Sequence, residues 1–230
     1  MALFNDWNKC ELDLFRLNFS LLTLIPKEQN AITIQKYRPI ALTNCSFKIF
    51  SKCATNRLGV VCEEIISPNQ TAFIKGRFIL ESVVSAHEII HEVAKSGQAG
   101  FIFKIDYEKA YDMVDREFLL KMLAGRGFGP KCIMWYTSLL HGGSVGVRVN
   151  DVNSEFFVAG RGVRQGDPIF PLFFNLLGDV FTRMLIKAAK AGLIKGLLHG
   201  FEQHGVINMQ YADDTLLFLQ KYLLQYKNLK

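Results

Sequence analysis

The most constraining feature of the sequence is a pair of adjacent aspartates inside an apolar stretch, QYADDTLLF (210–218). Apolar residues with strand character lie on both sides, which predicts two strands over residues 206–219 joined by a turn at Ala212, Asp213 and Asp214. Aspartate is common in turns because its side chain bonds to nearby backbone, so the pair has a purely structural explanation. Two adjacent carboxylates also repel each other, and keeping both ionised beside an apolar sheet favours a neighbouring cation.

A third aspartate, Asp106, ends another short apolar segment, FIFKID (101–106). This segment predicts a strand, and a helix is predicted to follow it directly, because Tyr111, Val114 and Phe118 recur at helical spacing. A carboxylate at a strand end can be aimed by the rigid sheet while loops leave access for a substrate.

If this strand pairs with the hairpin, the three aspartates converge on one sheet surface. Mg²⁺ prefers oxygen ligands and is usually bound through a few carboxylates, water and substrate phosphates. Two such ions about 3.5 to 4 Å apart stabilise both the attacking and the leaving oxygen of an in-line phosphoryl transfer. The alternative is three turn and strand-end aspartates with no shared site, and composition does not choose between the two.

Apolar periodicity predicts the other elements. They are a strand at 21–25, a polar surface loop at 25–39, amphipathic helices at 44–64 and 80–95, a hairpin with a turn near 150–153, a Gly-rich loop at 160–168 and a helix at 169–191.

Size and composition exclude several classes of protein. The 230 residues are half apolar, which suits one large or two small globular domains, and 27 Lys and Arg against 21 Asp and Glu give a net charge of +6 that is compatible with a polyanionic partner. Five cysteines without a Cys-x-x-Cys pair indicate a reducing compartment and no cysteine zinc site. No apolar run is long enough for a membrane span, and the N-terminus lacks the pattern of a secretory signal.

Two glycine-containing loops carry basic residues. GRGVRQGDP (160–168) contains Arg161 and Arg164, and AFIKGR (72–77) contains Lys75 and Arg77. Glycine allows close backbone approach and the basic side chains can meet phosphate, although basic turn residues are often simply solvated.

The segment HEIIH (87–91) matches the pattern of a zinc protease, in which His87 and His91 bind the metal and Glu88 acts as the base. The extended form of that motif fails because Ala94 stands where a glycine is needed. Two histidines on the surface of an ordinary amphipathic helix explain the pattern as well, and a distant third ligand stays open.

Six segments follow one another across nearly the whole chain: LIPK (24–27), YRPIALTNCSFKIFSK (37–52), NQTAFIKGR (69–77), FKIDYEKAYD (103–112), GVRQGDP (162–168) and YADD (211–214). In this order they resemble the successive blocks of a reverse transcriptase. The resemblance is closest to the LINE-type, non-LTR retrotransposons, especially those of plants. Six blocks in the order of the family are far more specific than any one of them.

The resemblance implies an α+β fold, the right-hand polymerase, with fingers and a palm built on a small antiparallel sheet packed on helices. It places an N-terminal extension and the fingers at 1–100, and the palm with an interleaved fingers segment at 101–230. The chain stops 16 residues after Asp214, where family members continue through the palm and a thumb, so the resemblance implies a fragment without a thumb and with weak or no processive activity.

The resemblance also assigns roles to residues. Asp106, Asp213 and Asp214 become the catalytic carboxylates, and together with the carbonyl of Tyr107 they hold two Mg²⁺ ions, with Mn²⁺ as a possible substitute. Further residues are expected to contact substrates: Lys75 and Arg77 the triphosphate, Tyr111 the sugar of the incoming nucleotide, Gln165 and Gly166 the nucleotide and template pocket, and Arg161 and Arg164 the nucleic acid.

The resemblance implies an RNA template, a DNA primer and dNTP as partners, together with remaining segments of the same retroelement polyprotein. It also implies an intracellular location, the cytoplasm and nucleus. Nucleic-acid binding is expected to weaken as salt rises.

One departure from the family pattern is Phe170, which stands where a small Ser is expected and predicts crowding at the start of its helix. A decayed remnant that binds nucleic acid without catalysis is the non-enzyme alternative.

Overall fold

The computed structural model describes residues 2–141, 143–198, 200 and 204–221. The chain divides into two compact units, and each unit is built from two separated stretches, 1–58 with 109–170 and 59–108 with 171–230. Each unit therefore combines residues from both sides of the boundary predicted at residue 100. The naming of the units as fingers and palm stays a prediction.

In chain order the α-helices and strands are α1 (Ala2–Asn8), β1 (Phe19–Pro26), β2 (Tyr37–Thr43), α2 (Cys45–Ile65), α3 (Ile79–Ser96), β3 (Gly100–Ile105), α4 (Arg116–Gly125), α5 (Pro130–Leu140), β4 (Ser144–Val149), β5 (Val152–Asn153), β6 (Phe157–Val158), α6 (Phe170–Lys190), β7 (Asn208–Tyr211) and β8 (Asp214–Gln220).

The first unit contains a mixed sheet together with α1, the part of α2 up to Leu58, α4 and α5. Strand order is β2-β1-β4-β5, with β6 pairing to β4; the β1–β4 pair is parallel and the other pairs are antiparallel.

Two sequence predictions are wrong in this unit. Residues 37–39, assigned to the surface loop, begin β2, and Pro39 is tolerated there because β2 is an edge strand. The helix expected directly after Asp106 begins only at Arg116, because Asp115 caps it by accepting a hydrogen bond from the Phe118 nitrogen (2.9 Å). The residues between Asp106 and this cap form turns instead.

The second unit is a three-stranded antiparallel sheet, of order β3-β8-β7, covered by helices. Along β8, Leu217 and Leu219 belong to a buried cluster with Leu185 of α6. Phe218, which lies between them in sequence, packs against Ile89 of α3. This alternation of faces is the period-2 pattern of a strand buried on both sides. The elements are the end of α2, α3 (Ile79–Ser96), β3 (Gly100–Ile105), α6 (Phe170–Lys190, from Pro171 onward), β7 (Asn208–Tyr211) and β8 (Asp214–Gln220).

The α+β class, with a small antiparallel sheet packed on helices, is confirmed. The predicted hairpin is present, but its turn consists of Ala212 and Asp213, and Asp214 is already the first residue of β8, paired with Tyr211. Within the described residues, no helix is both long and apolar enough to cross a membrane.

Candidate active site

The three predicted aspartates lie at one end of the sheet of the second unit. Strands β3 and β8 are antiparallel with Ile105 opposite Thr215, and Asp106 directly follows β3. Asp213 lies in the turn and Asp214 directly precedes Thr215. The pairing therefore brings the end of β3 next to the β7–β8 turn, although these residues are more than a hundred positions apart in sequence.

The ammonium group of Lys104 forms an ion pair with one of these carboxylates. The Lys104 Nζ lies 3.0 Å from the Asp214 Oδ1, and both side chains are mostly exposed. The pKa of Lys104 is raised, first by its hydrogen bond to Asp214 and the charge of that residue, and then by the charges of Asp106 and Asp213. All three carboxylates thus act on the same cation, as expected of a cluster that attracts positive charge.

The carboxylates are not closed around a common point. In the described part of the chain, no three acidic, histidine or cysteine side chains lie close enough together to hold a metal ion. The donor set nevertheless fits Mg²⁺, because all three groups are hard oxygen ligands and two of them, Asp106 and Asp214, are exposed. Beside them, burial raises the pKa of Tyr107, and a hydrogen bond with the Thr215 side chain partly opposes this rise. The predicted role of the Tyr107 carbonyl stays a prediction.

The turn that carries Asp213 is held by a buried glutamine that sequence reasoning missed. Gln70 accepts hydrogen bonds from the backbone nitrogens of Ala212 (2.9 Å) and Ala72 (3.0 Å), and its amide donates to the Ala212 carbonyl (3.2 Å). It is fully buried. Its signal in the sequence is a polar residue in the otherwise apolar setting of QTAFI, which is too common to stand out alone.

A network of buried polar side chains continues along β7. The Asn69 amide donates to Asn208, Asn208 donates to the Thr182 hydroxyl, and Thr182 donates to Gln210. Asn208 and Gln210 are both buried and occupy alternate positions of the strand. Buried polar groups are costly unless they are paired, so these bonds fix the strand against α6 and the 69–71 segment.

The two basic residues predicted to meet the triphosphate differ in their surroundings. Lys75 is exposed. Arg77 donates to the carbonyls of Ser67 (2.6 Å), Gln70 (2.7 Å) and Ile66 (2.8 Å). These carbonyls lie at or just after the end of α2, where backbone acceptors lack helical partners. Arg77 therefore stabilises this helix end, and its contact with a nucleotide stays a prediction.

In the first unit, the Gly-rich loop is bound to the segment that carries Tyr111. The Val163 nitrogen donates to the Tyr111 carbonyl (2.8 Å), and the Gly162 nitrogen donates to the Val114 carbonyl (2.8 Å). The Arg116 guanidinium adds bonds to the carbonyls of Gly162 (2.7 Å), Ala159 (2.8 Å) and Arg161 (3.2 Å). Arg116, which sequence reasoning missed, thereby sets the shape of the loop.

The four predicted binding residues of this loop are not equivalent. Arg161 is exposed and available to a ligand. The Gln165 carbonyl accepts from the Ala41 nitrogen (2.8 Å), and Gly166 has a φ of +111°, where a side chain would come within 3.0 Å of the Ala41 carbonyl. These contacts connect the loop to β2.

Arg164 is enclosed rather than presented to solvent. Its guanidinium lies 4.9 Å from the ring centroid of Phe47 and 6.0 Å from that of Phe170, and it donates to the Asn18 side chain and the Leu139 carbonyl. Burial lowers the pKa of Arg164 to about 10. Phe170, expected to crowd its helix, is buried and provides one of these rings. The predicted contact of Arg164 with nucleic acid stays a prediction, whereas its packing is structural.

The zinc alternative finds no support in the structure. His87, Glu88 and His91 are exposed residues of α3 that line a cavity of about 940 Å³ with Glu81. As for the aspartates, the described residues contain no set of three ligands placed to hold a metal.

The sequence as a whole is similar to known proteins. A family model described as reverse transcriptase (RNA-dependent DNA polymerase) matches residues 25–225. The chain belongs to this family. Members of the family generally use divalent metal ions.

Similar proteins include retrotransposon proteins. The chain is 29% identical over 201 residues to an uncharacterized 149 kDa protein of transposon TX1 from Xenopus laevis, covering 87% of this chain and 15% of that protein. It is 27% identical to the Pol polyprotein of the type-1 retrotransposable element R2 from Nasonia vitripennis, covering 87% of this chain and 19% of that protein. The LINE-type, non-LTR prediction is confirmed, and these animal relatives do not support its plant-like part.

The fold is also that of solved polymerases. A telomerase from Candida albicans matches with a TM-score of 0.62 at 12% identity, over 93% of this chain and 39% of that one. The RNA-dependent RNA polymerase of bacteriophage phi12 matches with a TM-score of 0.50 at 13% identity, over 97% of this chain and 41% of that one. At such low identity these matches establish the fold alone, and the chain spans less than half of each solved protein.

Proposed function

We propose that this chain forms the nucleotide-transfer site of an RNA-directed DNA polymerase, in which Asp106, Asp213 and Asp214 hold two Mg²⁺ ions. The observation that carries the proposal is the register of β3 with β8, with Ile105 opposite Thr215, which brings the end of β3 beside the β7–β8 turn at one end of the β3-β8-β7 sheet. Family membership supplies the reaction, the extension of a primer on an RNA template with dNTP.

The chemistry needs positioning and charge neutralisation more than covalent help from the protein. The primer 3′-hydroxyl attacks the α-phosphorus of the dNTP, the new phosphodiester forms, and pyrophosphate leaves with the electrons of the broken P–O bond. When bound, the Mg²⁺ ions neutralise the attacking and leaving oxygens. Asp106 supplies a carboxylate from the end of β3, and Asp213 supplies one from the β7–β8 turn. The two carboxylates therefore come from different elements of the sheet.

Asp214 has a second partner in Lys104. A cation bound among the aspartates competes with this ammonium for the Asp214 oxygen, because both are attracted by the same negative charge. A divalent cation held by the three aspartates would therefore weaken the ion pair of Asp214 with Lys104.

Other side chains are proposed to bind substrates. Lys75 and Arg161, which are exposed, contact phosphate groups, and Tyr111 contacts the sugar of the nucleotide. Arg77 acts through the carbonyls of residues 66–70 that it binds, and Arg164 acts through the Leu139 carbonyl and the Asn18 side chain. Gln165 and Gly166 line the nucleotide and template pocket. The net charge of +6 favours RNA and DNA phosphates as partners. Free thiols at all five cysteines favour a reducing compartment, the cytoplasm or nucleus.

Primer extension tests this proposal directly. The purified chain is given a primed RNA template, dNTP and Mg²⁺, and product is compared with that of Asp213→Asn. A matched control is Asp151→Asn, which changes an exposed carboxylate in the β4–β5 turn of the other unit.

Because weak or no processive activity is expected of this chain, the assay measures addition of the first nucleotides to the primer. We expect this addition by the wild type and by the control, and loss of at least about a hundredfold in Asp213→Asn, as for the removal of one essential charge-stabilising group. Equal extension by wild type and Asp213→Asn contradicts the assignment. Binding of the primed template without any extension, at a level equal in all three proteins, favours the non-catalytic alternative.

A further inference from the structure

We infer that Gln70 is a positioning residue for the site, because its buried amide holds Ala212 in a left-handed conformation and thereby fixes the carboxylate of Asp213. The hydrogen bonds that carry this inference are independent of the reaction. Its consequence for metal binding rests on the proposed function.

The conformation of Ala212 is unusual for its residue type. Its φ is +53°, in the left-handed region that glycine and asparagine enter most readily. The two-residue turn between Tyr211 and Asp214 requires this geometry at its first position. Alanine offers no side-chain hydrogen bond to support it, so the support has to come from elsewhere.

Gln70 provides that support at two points of one residue. Its Oε1 accepts from the Ala212 nitrogen (2.9 Å) and its Nε2 donates to the Ala212 carbonyl (3.2 Å). Both peptide groups that flank the Ala212 Cα are therefore fixed by one planar amide. Because Ala212 immediately precedes Asp213, rotation of these peptide groups would swing the carboxylate.

Gln70 is itself held rigidly. Its backbone lies in the 69–71 segment, which pairs with Gln210: the Gln210 nitrogen donates to the Asn69 carbonyl (2.7 Å) and the Thr71 nitrogen donates to the Gln210 carbonyl (3.1 Å). The Gln70 carbonyl accepts from Arg77 (2.7 Å).

The opposite wall of this amide site is a glycine in the middle of α6. A Cβ at Gly178 would come within 3.3 Å of the Gln210 Oε1 and 3.6 Å of the Gln70 Nε2. The first distance is a tight contact and the second is an ordinary van der Waals contact, so a side chain at Gly178 would press on Gln210 rather than on Gln70. The Gln70 amide thus packs against α6 on one side and binds Ala212 on the other.

Hydrogen exchange of the 230-residue chain tests the bracing itself. The variants are Gln70→Ala, Ala212→Gly and the double variant, with Gln98→Ala as a control. Gln98 also accepts one backbone hydrogen bond, from Leu198, but away from the turn. We expect Gln70→Ala to raise exchange of the turn amides roughly tenfold, the effect of one lost net hydrogen bond, while the control leaves them unchanged.

Ala212→Gly separates positioning from general support of the fold. Glycine adopts a positive φ without a side-chain penalty, so the effect of Gln70→Ala on the turn should be several-fold smaller in the protein that already carries Ala212→Gly than in the wild type. An equal effect in both backgrounds, or no effect in either, overturns the inference. If Gln70→Ala does not fold, Gln70→Met replaces it, because it keeps the length of the buried side chain without adding charge and loses both hydrogen bonds to Ala212.

Mn²⁺ binding, followed by electron paramagnetic resonance, tests the consequence for the site. We expect Gln70→Ala to weaken Mn²⁺ binding roughly tenfold, and Asp213→Asn to abolish it. Unchanged affinity in Gln70→Ala, in a protein whose binding depends on Asp213, overturns the positioning role. Absence of Mn²⁺ binding in the wild type overturns the proposed function instead, and hydrogen exchange then decides the role of Gln70 by itself.

Discussion

Asp167, a residue of the Gly-rich loop, is a carboxylate buried in the first unit, where it accepts bonds from the Ser51 hydroxyl and the Ile169 nitrogen. Burial raises its pKa above the ordinary value of 3.8, and these bonds and the charge of Arg164 only partly oppose the rise. The folded protein therefore keeps a proton that the unfolded chain releases. The free energy of unfolding is greatest below pH 3.8 in this respect and falls as pH rises through the raised pKa.

Asp167→Asn removes this titration and keeps an oxygen that accepts both bonds. We expect a smaller fall in the free energy of unfolding than in the wild type as pH rises from 3.8 through the raised pKa, measured by urea unfolding at a series of pH values. Asp151→Asn, at an exposed site, should leave the slope unchanged. If the free energy of unfolding of Asp167→Asn fell with pH as steeply as that of the wild type, this carboxyl would not control stability over this pH range.

Tyr111 carries a prediction about the choice of sugar. If its ring blocks a ribose 2′-hydroxyl, Tyr111→Ala should raise incorporation of ribonucleotides relative to deoxynucleotides by about tenfold or more, the usual discrimination of a steric contact. Tyr111→Phe keeps the ring and should discriminate as the wild type does. Competition between rNTP and dNTP in primer extension measures the ratio. An unchanged ratio in Tyr111→Ala would leave the ring a packing element of its segment.

Residue types and order were enough to predict that Asp106 lies beside the hairpin of Asp213 and Asp214, but not the partners of the basic residues. Arg164 donates to Asn18, which lies 146 positions away, and Arg77 binds carbonyls at the end of α2. An arginine beside a glycine is the same pattern whether it meets phosphate or a helix end. Burial in the folded chain makes the difference, and it depends on contacts that local sequence does not record.

Among the helices and strands, apolar periodicity located α2, α3, α6 and the hairpin because each has one or two buried faces, and it gave no prediction for α1 or α5. It failed for β2, where an edge position tolerates Pro39, and for the start of α4, where the Asp115 cap overrides the apolar spacing of Tyr111 and Val114. In both places a local polar or proline signal and the tertiary setting decided the structure against the pattern.

The Gly-rich loop gives a prediction about one element. Gly162 has a φ of +82°, and a Cβ there would lie 2.6 Å from the Asp112 carbonyl oxygen. Gly162→Ala should therefore lower the free energy of unfolding by about 1 to 3 kcal/mol and slow primer extension, because the loop loses its contact with the Tyr111 segment. Gly160→Ala is the matched control, since it has a clear surrounding and no positive φ. Equal stability of the two variants in urea would contradict the close approach.

At the scale of the whole molecule, each unit is assembled from two stretches far apart in the chain. Periodicity gives no information on such pairing, and it was the order of six segments that predicted a shared sheet for Asp106 and the hairpin. The register of Ile105 with Thr215 agrees with that expectation. The buried amides of Gln70, Asn208 and Gln210 were not foreseen, because a polar residue inside an apolar stretch indicates a bonded partner without naming it.

The proposed function requires that a divalent ion binds where β3 ends beside the β7–β8 turn. Fe²⁺, an oxygen-binding substitute for Mg²⁺, cleaves the backbone near its site when supplied with ascorbate and peroxide, and mass spectrometry locates the cuts. We predict cuts close to Asp106 and Asp213 that excess Mg²⁺ suppresses and Asp213→Asn abolishes. Cuts confined to the helix around His87 and His91, or cuts near Asp106 and Asp213 that are the same in Asp213→Asn, would rule out a divalent ion held by these aspartates.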